Sequence, residues 1–371
     1  MTLNFCTLFD SNYLTRGLAL HESMVRHIPD FHLFIFAFDE RSREILTEMA
    51  LKNTTVISLK EFEDKHLLAV KPDRSIAEYC WTSTSSTILY VLDNFPVENC
   101  TYIDADIFFY SSPEPIFQEM GENSILLTEH RYSPKYNKEV KSGKYCVQFV
   151  TFKNDEKGRT ALTWWRERCL EWCYDRYEDG KFGDQLYLDD WTERFPGVHV
   201  MKHLGGGIAA WNVQQYDFKV EYGEAKRTEP VSFTGTNSQA GSSESTGEND
   251  SDGSKVATRN TSTSTKITGR ELTTGEEFPV IFYHFHYLRF LKGGKIELGR
   301  RILSQNVLNI FYKPYILRLN QLKKEITAKY PGFDPNGARK NKLRAVSPAV
   351  FLFRKLTGVY NVFEENSFLR N

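Results

Sequence analysis

The sequence lacks the common glycine-based phosphate cradles. No G-x-G-x-x-G follows its first apolar run, and no G-x-x-x-x-G-K-[ST] occurs anywhere in its 371 residues. A nucleotide bound without those loops needs another partner for its phosphates, and a cation held by carboxylates can be that partner. Cysteine is sparse and scattered, at 6, 80, 100, 146, 169 and 173, with no histidine pair at zinc-ligand spacing. The thiols therefore read as reduced core residues of a cytoplasmic protein. No apolar run is long enough to span a bilayer. The first ten residues lack a basic region, so no signal peptide is expected.

Charge is nearly balanced overall, at -1, but unevenly placed. Residues 311–371 carry 12 Lys and Arg against 4 Asp and Glu, leaving 35 against 44 in the remainder. A basic tail on an acidic body suggests an anionic membrane face as a peripheral partner, at the inner side of the membrane, rather than nucleic acid. An ordinary solvated helical face would account for it equally well.

What is present is an alternation of strand and helix. Residues 3–9 alternate as a strand, 14–27 carry a helical stripe, 32–39 form a dense apolar run, a polar helix reaches Met49, and 55–59 form a third strand. Residues 101–110 and 146–152 are further strands, with a helix over 159–177 whose Leu162, Trp165, Cys169, Trp172 and Cys173 form a core stripe. Such alternation predicts an α/β fold: a mainly parallel, doubly wound sheet with helices on both faces and ligands beyond the carboxyl ends of its strands. A catalytic domain over 1–300 is expected, followed by a basic, mainly helical extension over 301–371. The Ser, Thr, Gly and acidic stretch 234–265 reads as a disordered insertion.

The stretch 101–110 bears the chemistry. Asp104 and Asp106 lie two apart at the end of a strand, where period-two geometry aims both to one side. Unpaired they repel, whereas a Mn2+ or Mg2+ ion between them removes the conflict and accepts phosphate oxygens. His284 and His286 lie two apart on a late strand and can add a metal ligand. Arg289, Lys292 and Lys295 offer positive charge for a diphosphate. Gly205 to Gly207 would let backbone approach a ligand, with Trp211 and Asn212 offering a ring face and polar groups to a sugar. Asp184 is either a helix cap or, with Gln185, directed into the site.

In layout the chain resembles a GT-A glycosyltransferase, nearest to family eight, the group of glycogenin and the bacterial lipopolysaccharide galactosyltransferases. The resemblance runs over about residues 3–290 and rests on four short matches in order. It implies the nucleotide-diphospho-sugar transferase fold, with Asp10, Asn12 and Tyr13 on base and ribose. Asp104, Asp106 and His284 would hold the metal, and Asp184 and Gln185 would stand by the reacting sugar carbon. A UDP-hexose donor, a glycan or lipid-linked acceptor and retention of anomeric configuration are further implications. The family's glycine and Lys-Pro-Trp after the histidine are absent, which leaves Arg289, Lys292 or Lys295 as substitutes. Gln148 stands where a sugar contact is expected. Lys71 and Arg74 stand in for a missing arginine before the D-x-D. Inversion would need an acceptor-side carboxylate, from Asp184, Asp189 or Glu129. A sugar nucleotidyltransferase and a catalytically decayed glycan binder are the rival readings; the first usually has a glycine-rich basic loop after its first strand, which residues 10–20 lack.

Overall fold

The computed structural model of the protein describes residues 2–222, 265–340 and 348–370. Apart from Thr265, the insertion read over 234–265 lies outside them. The central sheet has seven strands. In chain order they are β1 (Leu3–Phe9), β2 (Phe31–Ala37), β3 (Thr54–Ser58), β4 (Asn99–Ile103), β6 (Ile125–Glu129), β7 (Tyr145–Lys153) and β8 (Val198–Val200). Their spatial order is β3-β2-β1-β4-β7-β6-β8. Only β7 runs against its neighbours. The mainly parallel, doubly wound sheet read from the alternation is therefore present.

Strand β1 illustrates why the sheet is coated on both faces. Phe5 and Phe9 enter one buried cluster with Leu14 and Leu18 of helix α1 (Leu14–His27), while Cys6 and Leu8 enter another on the opposite side. That second cluster contains Ile88 and Val91 of helix α2 (Ile76–Asn94) and Leu162 and Trp165 of helix α3 (Glu156–Glu171). The stripe read as core is buried throughout: Trp165, Leu162, Cys169 and Cys173 are fully enclosed, and all six cysteines are free. The basic tail is woven into this body, since Ile316 and Leu319 of helix α4 (Lys313–Lys329) share the cluster of Phe5 and Phe9.

The stretch 101–110 departs from a single strand. It is cut into β4, in the large sheet, and β5 (Ile107–Phe109), in a small sheet of three strands ordered β5-β13-β9. Strand β9 is Ile208–Ala209 and β13 is Phe282–His284. Asp104 and Asp106 thus share a side because a turn, closed by Ile107 N–H donating to Asp104 O at 3.1 Å, joins the two sheets. Strand pleating does not align them.

Beyond β13 the chain turns through Tyr287, left-handed at φ 69°, into the hairpin of β14 (Leu288–Leu291) and β15 (Lys295–Leu298). β16 (Val362–Glu364) adds to its outer edge. Gly205 to Gly207 open no space for a ligand. A Cβ on Gly205 would lie 1.9 Å from Pro279 O, one on Gly206 2.4 Å from Met201 Sδ, and one on Gly207 2.9 Å from Thr128 Cγ2. The run lets β9 approach β13, whose Phe282 N–H and neighbouring Ile281 N–H both donate to Gly205 O. Gly205→Ala is expected to destabilise the protein by about 1–3 kcal/mol, as overpacking of a filled site does. A lowered urea midpoint at unchanged slope is the measurement that checks it, and an unaltered midpoint would contradict the packing.

Candidate active site

The small sheet carries the late histidine to the D-x-D turn. In its register His284 lies opposite Ile107 on one side and Ala209 on the other, and Phe285 N–H donates to Asp106 O at 3.0 Å. His284 Nε2 consequently stands 3.0 Å from Asp106 Oδ1 and 3.5 Å from Asp104 Oδ2. One ligand atom from each of the three residues lies within 4.8 Å of the others.

Two of the three ligand candidates are held from behind. His284 Nδ1 meets Gln148 Oε1 at 2.7 Å, so Nδ1–H donates to the amide and Nε2 faces the carboxylates, as an N–H without a cation and as a lone pair when one is bound. Tyr102 O–H donates to Asp104 Oδ1 at 3.1 Å, leaving Oδ2 toward the histidine. Two carboxylate oxygens and one imidazole nitrogen, with the imidazole oriented by an amide, fit Mn2+ or Mg2+.

Without a cation the imidazole mediates between the acids. Burial raises the Asp104 carboxyl, with Asp106 adding to the push, to about 6 against the pull of His284. Burial acts upward on Asp106 too, but the charge and hydrogen bond of His284 prevail and bring it down to about 2. His284 is raised in turn: burial disfavours its charge, and Asp106 outweighs that. His286, buried beside it at 5.3 Å between ring centroids, is pushed down to about 3 by burial and by the charge of His284. It therefore stays neutral.

The other residues singled out in the sequence divide into three groups. Asp184 is buried within reach of the charge of Asp104, and burial with that charge pushes its carboxyl up to about 8. Gln185 follows it, its amide donating to Ser142 O. Tyr13 also feels Asp106, while the Arg16 guanidinium sits 4.4 Å over its ring. Asp10 accepts from Asn12 through both carboxylate oxygens, at 3.0 Å each. Arg289, which acts on Tyr13, also stands 5.3 Å over the Tyr287 ring.

A second group lies behind the site. Gln148 is fully buried with its oxygen committed to His284, so it is a support for the histidine and not an open sugar contact. Trp211 is also enclosed; its N–H donates to His130 O and its ring abuts both His284 and His286 at 5.4 Å. Asn212 is fully buried, bonding His130 O and Gly207 O through its amide nitrogen and Ala209 N–H through its oxygen. Neither ring nor amide is free for a saccharide.

The remaining residues make other contacts or lie exposed. Lys295 pairs with Glu364 at 2.7 Å, and Lys292 is exposed at the hairpin tip. Lys71 pairs with Glu63 at 2.5 Å, and Arg74 stacks 3.9 Å from the Tyr174 ring. Glu129 pairs with Lys144 at 2.9 Å, and Asp189 accepts from Lys144 N–H at 2.8 Å.

Arg16 was not singled out from the sequence. It is buried, its guanidinium donates to the carbonyls of Asn12, Leu288 and Asn336, and its charge helps to lower Asp106. The one sequence signal was its place in α1, an arginine between the apolar Leu14 and Leu18 and four residues beyond Asn12.

No family model matches the chain. Among curated proteins, the uncharacterized protein YfnD of Bacillus subtilis is 28% identical over 338 residues, covering 90% of this chain and 93% of that protein. The uncharacterized protein YfnF of the same organism is 36% identical over 226 residues, covering 59% of this chain and 75% of that protein. Among solved structures, the glycosyltransferase GlyE of Streptococcus pneumoniae is similar at 13% identity and a TM-score of 0.38, over 55% of this chain and 47% of that one. Mouse xyloside xylosyltransferase 1 is similar at 12% identity and a TM-score of 0.39, over 57% and 87%. At those scores, function must be argued from the site itself.

The raised carboxyl of Asp184 has a consequence for stability. Folded, it holds its proton to about 8; unfolded, it releases it near 3.8. Between those values only the unfolded chain loses the proton, so this residue's contribution falls as pH rises through the window. Asp184→Asn is expected to stabilise the metal-free protein by an amount that grows from pH 4 to pH 8 and reaches at least about 1 kcal/mol. Urea unfolding in EDTA across that range checks it, and a pH-independent difference would contradict the assignment.

Proposed function

This chain belongs to the family of the uncharacterized Bacillus subtilis protein YfnF, and we propose that it is a metal-dependent glycosyltransferase. The donor is a nucleotide sugar, a UDP-hexose, and the acceptor a glycan or lipid-linked saccharide. The observation that carries this reading is the convergence of Asp104, Asp106 and His284, from segments 178 residues apart, at the carboxyl ends of parallel strands where such sheets take ligands. It agrees with the ordered D-x-N-Y, D-x-D, Asp-Gln and His-aromatic resemblance in the sequence.

Asp104, Asp106 and His284 would hold Mn2+ or Mg2+. When bound, the ion supplies Lewis-acid neutralisation of the charge that builds on a departing nucleoside diphosphate. The chain's own residues supply the rest. Gln148 and Tyr102 fix the donor atoms of His284 and Asp104 before substrate arrives. Asp10, Asn12 and Tyr13 stand at the nucleotide end, where Arg16 and Arg289 add positive charge around Tyr13. Asp184 and Gln185 stand at the sugar end, the first through its coupling to Asp104. With Glu129 and Asp189 engaged by Lys144, Asp184 is the carboxylate that remains for an acceptor-side role.

Membrane contact is part of the proposal. Among the described residues no helix is long and apolar enough to cross a membrane. The late helix Pro348–Leu356 nevertheless exposes Leu352, Phe353 and Leu356 beside Arg354 and Lys355, which suits a peripheral seat on an anionic leaflet.

Purified protein is expected to hydrolyse one member of a panel of nucleotide sugars slowly in the presence of Mn2+. Asp104→Asn or Asp106→Asn should lower that rate at least ~100-fold, as loss of a preorganised electrostatic group does; without metal the melting temperature should hold or rise in Asp104→Asn, whose carboxyl is raised by burial, and fall in Asp106→Asn, which loses its pairing with His284. Proton NMR of the released sugar reports the anomer. Retention agrees with the family-eight resemblance and inversion removes it. Hydrolysis that persists in EDTA and in both variants would overturn the proposed function.

A further inference from the structure

The loop from Arg131 to Gly143 rises between the sugar end of the site and the segment after β15. At its foot Ser133 N–H donates to Trp211 O at 3.0 Å, and the Ser133 hydroxyl reaches Gln214 Oε1 at 2.9 Å. On one flank Ser142 O accepts the amide of Gln185. On the other, Ile302 N–H donates to the Tyr136 hydroxyl at 2.8 Å. One loop therefore connects the residue read as standing at the sugar to the neighbourhood of Arg300 and Arg301.

That neighbourhood has more positive charge than it can pair. Lys135, Lys138 and Lys141 lie on the loop and Arg300 and Arg301 beside it, with Glu139 the one acid of the loop. Glu129 and Glu297 on flanking strands are taken by Lys144 and Arg289. Among the described residues, none of the five cations is in an ion pair. Lys138 is lowered from the usual ammonium range by burial and then by Arg301, Lys141 and Arg300, so the cations act on one another.

Arg301 is the decisive member. It is only 8% exposed, its Nε has no hydrogen-bond partner among the described residues, and its guanidinium lies 5.5 Å from the Tyr136 ring and 5.9 Å from the Tyr287 ring. A guanidinium withdrawn from water without a counter-ion is costly, and two aromatic faces offset only part of that. Tyr287 contributes its ring from a left-handed backbone at φ 69°, a conformation unfavourable for a residue with a Cβ. A left-handed tyrosine, a buried guanidinium in no ion pair among the described residues and three exposed lysines thus meet along the loop whose other flank bonds Gln185.

We propose that this cluster is the seat of an oxyanion, phosphate or carboxylate, carried by the acceptor glycan, with Arg301 as its buried fork and Lys138, Lys141 and Arg300 around it. Guanidinium forks match both anions in two-point geometry. That the anionic glycan is the acceptor rests on the glycosyl-transfer reading; that the cluster binds one does not.

The test is fluorescence anisotropy on the full chain with three labelled probes: poly(glycerol phosphate), a hyaluronan oligosaccharide and neutral dextran. At least one anionic probe should bind ~10-fold or more tightly than dextran and weaken as salt rises. Its preference for phosphate or carboxylate identifies the group. Arg301→Gln should weaken that binding ~10-fold or more. The double variant Lys138→Gln with Lys141→Gln, confined to exposed side chains, should do so to a similar extent, so the test survives misfolding of the first. Dextran binding equal to both anionic probes, or full affinity in the lysine variant and in a folded Arg301→Gln, overturns the proposal. Mn2+-dependent UDP affinity, measured by calorimetry on the same samples, separates the two readings. Its absence with anionic-glycan binding intact defeats glycosyl transfer alone.

Discussion

The site depends on one backbone pairing. Strand β13 sits between β5 and β9, and that register sets His284 against the D-x-D turn 178 residues earlier in the chain. The pairing fixes the imidazole to within 3.0 Å of Asp106 and 3.5 Å of Asp104. Everything behind the sheet serves that placement. Gly205 to Gly207 allow β9 to close in, Trp211 and Asn212 tie β9 to His130, and Gln148 reaches from β7 to hold Nδ1. A single ligand of a preorganised site therefore draws on two sheets and five segments.

The acids around it are graded by position. Asp106, against its burial, is held at about 2 by His284; Asp104, raised by burial and then by Asp106, reaches about 6; Asp184, raised by burial and then by Asp104, reaches about 8. The imidazole lies 3.0 Å from Asp106 and 3.5 Å from Asp104, and it is not among the charges that act on Asp184. Residues that lie farthest from compensating charge are those with most to gain from a bound cation, which is how a structure stores affinity for one.

Much of this was legible in the sequence because period and strand-end placement survive without tertiary information. β1, α1, β2 and β3 fall within two residues of their expected limits, and Asp104, Asp106 and His284 could be grouped from residue chemistry and order along the chain. Three features were not legible. The apolar run through the D-x-D reads as one strand, because nothing local marks where it leaves one sheet for another. The glycine run and Trp211-Asn212 read as ligand-facing since small and aromatic residues suit both a cleft and close packing; the contacts of Pro279 O and His130 O decide for packing. Gln148 and Arg16 act through partners more than a hundred residues away, and Arg301 is buried with no ion pair among the described residues; one-dimensional spacing records neither.

The most direct test is a Mn2+ titration followed by electron paramagnetic resonance, which reports free ion independently of any sugar. The account expects one site per chain, lost in Asp106→Asn and weakened roughly 10–100-fold in Gln148→Leu, since a partner that only orients a ligand has an effect of that size. One-site binding of unchanged affinity in both Asp106→Asn and His284→Ala would contradict it.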